Sequence, residues 1–157
     1  MTIKVVMLRK QLLMPKLDFA EALDVIVAGD PRYPRGAYHF LREALDFTIK
    51  VRKKAREQAS HVTGQQLLEG MRQYALKQFG PMVPTVFEHW RLRRCEDFGE
   101  MVFNLVRVGV FGKTEQDSME DFKGAFTFHD AFVAPYLPAP PLVHRRLSVN
   151  QPAEELS

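Results

Sequence analysis

Apolar residues recur along this chain at the three- and four-residue intervals of a helical face, and caps, glycines and prolines divide them into successive short helices. Phe19, Ala22, Leu23, Ile26 and Val27 share the face of a helix over about 19–28, opened by an Asp18–Glu21 capping box and closed by Gly29. The connector Asp30 to Gly36 holds two prolines and a glycine, so an irregular loop is expected, with Arg32, Tyr33 and Arg35 solvated. A longer helix over about 37–58 follows, its stripe Tyr38, Leu41, Ala44, Leu45, Thr48 and Val51 widened by Phe40 and Phe47.

Thr63 with Gln66 forms a second capping box, flanked by Val62 and Leu67 as a hydrophobic staple, which starts a helix near Gly64. Leu67, Leu68, Met71, Ala75 and Phe79 make its buried face, and Gly80-Pro81 ends it. Gly70 inside this helix costs about 1 kcal/mol relative to alanine, so another backbone or a bulky side chain is expected to cross there. A short helix over about 85–91 presents Val86, Phe87 and Trp90, and the basic turn Leu92 to Cys95 leads to a helix over about 96–108. Phe98, Met101, Val102, Leu105 and Val106, edged by Phe103, make that last helix the most hydrophobic element, and Gly109 is its C-cap.

Beyond it, Thr114 with Asp117 or Ser118 with Asp121 can cap one helical turn, and the loose alternation of Phe122, Phe126 and Phe128 predicts a short strand before Asp130 to Val133. Pro135, Pro138, Pro140 and Pro141 open an extended tail. The expected fold is therefore mainly α: a compact helical domain over 17–136 with a winged-helix-like helix-turn-helix segment and at most a short β-hairpin. A basic N-terminal extension, 1–16, and a flexible proline-rich tail, 137–157, flank it.

A chain of 157 residues suits one core that buries roughly 70% of the unfolded surface. An apolar fraction of 46% and a charged fraction of 26% sit at globular averages. The longest apolar runs, such as Val108 to Phe111, are too short to cross a bilayer. Arg9 and Lys10 interrupt Ile3 to Leu8 before any small-residue cleavage site, so no signal peptide is read and a cytoplasmic protein is expected. Cys95 is the one cysteine, which excludes an internal disulfide. It reads as a half-buried small residue, as the N-cap before Glu96, or as a thiol activated by Arg93 and Arg94.

The net charge of +3 is mild, but its distribution is uneven. Lys50, Arg52, Lys53, Lys54 and Arg56 crowd the end of the second helix, more cations than the helix dipole accounts for. Arg91, Arg93 and Arg94 make a second cluster, while Glu115, Asp117, Glu120 and Asp121 make an acidic segment. Chemistry is sparse by contrast. Asp97-Phe98-Gly99 spells a kinase metal-binding tripeptide without the rest of that signature, and the acidic segment lacks the calcium-loop pattern. His39, His61, His89, His129 and His144 include no pair at zinc spacing, and no cofactor motif is present. Glu88 and His89 with Cys95 are the nearest thing to a catalytic cluster.

The pattern thus predicts a non-enzymatic binding module. Its leading partner is RNA, DNA or a ribonucleoprotein, held without sequence reading by Lys50, Arg52, Lys53, Lys54, Arg56, Arg91, Arg93 and Arg94. Sequence reading by the helix over 96–108 is disfavoured, because Glu96, Asp97 and Glu100 would face phosphates. The alternative is a protein-interaction or self-associating module, a homodimer included, using exposed aromatics and the acidic segment.

The runs GQQLLEGMRQYALKQFGP, EDFGEMVFNLVRVGVF and KTEQDSMEDF, in this order, resemble a family of conserved hypothetical proteins of similar length from Planctomycetes and Verrucomicrobia. The resemblance spans about Pro15 to Tyr136, which leaves Met14 as an alternative start. In that family pattern a glycine follows the tryptophan; here Arg91 follows Trp90, which argues against a tight turn at that point. The resemblance implies a bacterial cytoplasmic housekeeping role and supplies no functional residues.

Overall fold

In the computed structural model, which describes residues 5–7, 18–55, 62–113 and 118–139, five α-helices form; the first and third start at their capping boxes, whereas the second spans 35–54 in place of 37–58 and the fourth 83–89 in place of 85–91. They are α1 (Phe19–Gly29), α2 (Arg35–Lys54), α3 (Gly64–Phe79), α4 (Val83–His89) and α5 (Cys95–Arg107), so the fold is mainly α. The Glu21 carboxylate accepts the Asp18 N–H at the start of α1. At the start of α3 the Thr63 hydroxyl accepts the Gln66 N–H and the Gln66 amide oxygen accepts the Thr63 N–H, a reciprocal pair. Val62 and Leu67, the staple, are both buried. Gly109, with φ of 82°, turns the chain left-handed after α5, and the Val110 N–H returns to the Leu105 carbonyl.

Strand β1 (Val5–Met7) pairs antiparallel with β2 (Phe111–Lys113), in the register Val5 to Lys113 and Met7 to Phe111. This ribbon joins the start of the chain to the residues after α5 rather than closing a local hairpin, so part of the expected basic extension is strand. The expected strand around Phe122 to Phe128 does not form. Ser118 caps a 3₁₀ turn, Met119–Phe122, and a π-helical turn, His129–Val133, follows under a Thr127 hydroxyl that accepts the Asp130 N–H. The rings decide this: Phe128 and Phe132 lie 5.5 and 5.2 Å from Phe87 on α4, positions that a two-residue alternation cannot supply.

The core runs between α2, α3 and α5 and is capped by these aromatic turns. Phe40 and Phe98 meet Phe87 edge-on at 5.6 and 5.5 Å. Phe122, fully buried, fills the gap between the first residue of α3 and the middle of α5; a Cβ at Gly64 would lie 3.2 Å from its ring and one at Gly99 only 2.9 Å. Gly99 is therefore a packing glycine, and Phe98 beside it belongs to the core, while Asp97 is partly exposed. The crossing expected at Gly70 is there too: a Cβ would lie 2.8 Å from Thr48 Cβ, so α2 and α3 touch through a side chain that only glycine admits.

Two expectations at the turns are corrected. The chain turns tightly after Trp90 despite the arginine, because Arg91 itself takes the left-handed conformation at φ of 61°. Its neighbours hold it there: the Leu92 N–H bonds the Phe87 carbonyl at 2.8 Å, and Leu92 is buried. In the α1–α2 loop Tyr33 is buried rather than solvated, whereas Arg32 and Arg35 are exposed as expected, each also paired with an acid. Arg56, His61 and residues 114–117 lie outside the described residues, as does the tail beyond 139.

Candidate nucleic-acid interface

Lys50, Arg52, Lys53 and Lys54 occupy the last turns of α2. The three lysines are exposed and Arg52 is half-buried along a groove between α2 and α3. Arg91, Arg93 and Arg94 are exposed on the turn between α4 and α5. That turn lies at the other end of α2, for the Trp90 indole nitrogen would sit 3.1 Å from a Cβ at Gly36, in the first turn. From Gly36 to Lys50 the helix advances about 20 Å at roughly 1.5 Å per residue. The fold thus keeps the two clusters apart.

Their surroundings differ as well. The Arg91–Arg94 turn is edged by acids, and the Asp97 carboxylate accepts the backbone N–H groups of Arg93 and Arg94 at 2.8 and 3.1 Å, capping α5. Arg91 reaches the Pro31 carbonyl by a long bond of 3.4 Å. These contacts fix the turn to the α1–α2 loop, a structural task.

That loop is the feature sequence reasoning missed. Arg32, exposed as expected, also holds Asp30 by two bonds of 2.8 and 2.7 Å and reaches Glu100 at 3.2 Å. The Tyr33 hydroxyl donates to Asp97 at 2.7 Å with only 3% of the residue exposed, and Arg35 pairs with Asp24. Asn104, buried in α5, donates to Asp30 and to the Tyr38 hydroxyl, both at 3.0 Å, and its oxygen accepts from Arg107. The Arg32 guanidinium holds the Asp30 carboxyl well below the usual carboxylate range, and burial followed by the bond to Asp97 pushes the Tyr33 hydroxyl up. The signal was present in the spacing: Asp97, Glu100, Asn104 and Arg107 form a polar stripe at helical intervals beside the core stripe of α5. This stripe faces the loop, so the N-terminal half of α5 is covered by the protein's own chain.

The catalytic trio does not assemble. Cys95 is 1% exposed, its thiol donates to the Phe126 carbonyl at 3.3 Å, and burial pushes it up to about 11. His89 and Glu88 are exposed, and the groove of about 460 Å³ between α4 and the π-helical turn includes Glu88 but neither Cys95 nor His89. Among the described residues no three His, Cys, Asp or Glu side chains are grouped to hold a metal, and no helix is long and apolar enough to cross a membrane. In comparisons with known proteins, no family model, no curated protein and no solved structure matches the chain.

Proposed function

We propose that this protein is a non-enzymatic binding module that holds the phosphate backbone of nucleic acid, alone or in a ribonucleoprotein, without reading its sequence, through the C-terminal half of α2. The observation that carries this reading is the row of exposed Lys50, Lys53 and Lys54 on the last turns of a helix whose own final turn holds no acid. Arg91, Arg93 and Arg94 are set aside from the contact, since Asp97 and the α1–α2 loop already engage their turn. A bacterial cytoplasmic setting accords with this role.

The test is fluorescence anisotropy of the whole protein against labelled oligonucleotides. With about four phosphates neutralised, affinity should fall roughly a hundredfold between about 50 and 200 mM salt. Lys53→Glu with Lys54→Glu should abolish binding, while Arg93→Glu with Arg94→Glu should leave it within about threefold. Binding lost equally with the second pair, or absent at low salt, overturns the assignment. A second reading, a protein contact or homodimer, is favoured by Met82, Tyr136 and Leu137, which are 55%, 48% and 55% exposed. The Tyr136 hydroxyl comes within 3.7 Å of a Cβ placed at Gly80, beside Met82, so these residues share one end of the domain. A monomer in sedimentation at all concentrations argues against it.

A further inference from the structure

α2 and α3 run antiparallel, with Tyr74 bonded to Glu43 and Gly70 against Thr48. Toward the closed end of this helical hairpin a groove of about 540 Å³ opens between them, within the range of roughly 300–1,000 Å³ that small ligands occupy. Its walls mix apolar, amide and charged surface. Phe47 and Val51 offer the apolar part, Gln65 carries an amide that both donates and accepts, and Arg52 is the lining cation, while the Glu69 carboxylate that also lines the groove is held by Arg72 and by the Gln73 amide N–H. Val51 is 42% exposed although it continues the core stripe of α2, so the groove leaves uncovered an apolar patch amid cations.

Cations flanking a flat apolar wall with a two-way hydrogen-bonding amide complement a nucleotide: phosphate on the lysines, a base against Phe47, its polar edge toward Gln65. A duplex keeps its bases stacked inside and cannot offer one, whereas a single strand can. We propose that the groove takes one unstacked base of a single strand whose phosphates lie along Lys50, Lys53 and Lys54, so that the ligand is single-stranded nucleic acid. This rests on the phosphate-binding reading above and specifies its ligand.

The experiment uses the full chain and four probes: a labelled oligothymidylate, an abasic strand of equal length, a duplex, and a polyglutamate peptide. The oligothymidylate should bind about tenfold more tightly than the abasic strand or the duplex, the lower part of what base stacking supplies. Phe47→Leu and, separately, Gln65→Ala should erase most of that preference while leaving the abasic strand within about twofold. Gln65 is exposed, so its variant keeps the fold. Equal affinity for the abasic strand, or a preference that survives both variants, overturns the base groove and leaves phosphate binding standing. Polyglutamate bound as tightly as the oligothymidylate overturns it in favour of an acidic peptide. No binding to any strand overturns both readings together.

Discussion

Gly70 stands where only glycine fits, whereas Arg91 stands where a glycine would be at ease. At Gly70 an added methyl meets Thr48 Cβ at 2.8 Å and Cγ2 at 3.0 Å, so rotating the threonine does not clear the clash. Overpacking of this kind costs about 1–3 kcal/mol, against the roughly 1 kcal/mol that alanine gains as a helix former. Gly70→Ala is therefore expected to destabilise, and a double-mutant cycle with Thr48→Ala in urea melts should recover part of the loss; additive losses would mean the two residues do not meet. Arg91 runs the opposite way. Its left-handed backbone, φ of 61°, costs a non-glycine residue on the order of 1 kcal/mol, and its side-chain bond to Pro31 is long. Arg91→Gly should therefore raise the melting temperature by about 2–4 °C, and a lowered one would show that the bond to Pro31 outweighs the backbone. Sequence foresaw the first of these because a glycine inside a helical stripe is a local anomaly. It misjudged the second because φ at an arginine is set by its neighbours, here the bond from Leu92 to Phe87.

Among the elements, α5 carries the architecture. Phe98, Met101, Val102 and Leu105 are all buried to 1% exposure or less, as the stripe predicts. Leu105→Ala should cost about 2–5 kcal/mol, whereas Glu100→Ala, which removes only a half-exposed pair with Arg32, should cost no more than about 1 kcal/mol. Thermal melts of the two variants decide the orientation of the helix; equal losses would refute it. Capping boxes, staples and apolar stripes were legible because each is written within one turn of chain. The α4 start was less so: a 3₁₀ turn, Gly80–Met82, leads straight into it, with Pro84 in the first turn, where its missing N–H is no loss. The single turn capped at Ser118 was legible, but the turns from there to Val133 were not, since Phe128 and Phe132 answer to Phe87 far along the chain and not to a local period.

At the scale of the molecule, charge and polarity divide along α2, with the lysines at one end and the bonded loop at the other. The basic clusters could be read from the sequence, but not their separation, because distance between them depends on the path of the chain through α3 and α4. The loop end also binds three elements into one unit, since Asp30 is held by Arg32 beside it and by Asn104 of α5, which also bonds Tyr38 of α2. Because Arg32 keeps the Asp30 carboxyl ionised well below its unfolded value of about 3.9, this contribution is fully present at neutral pH and is lost as the pH falls below that value. Asp30→Asn should thus be less stable than the natural protein at pH 7, and the gap should narrow steadily as urea midpoints are measured at successively lower pH below about 4. A gap that stays constant over that range would mean that Asp30 acts through hydrogen-bond geometry that asparagine cannot reproduce and not through its charge.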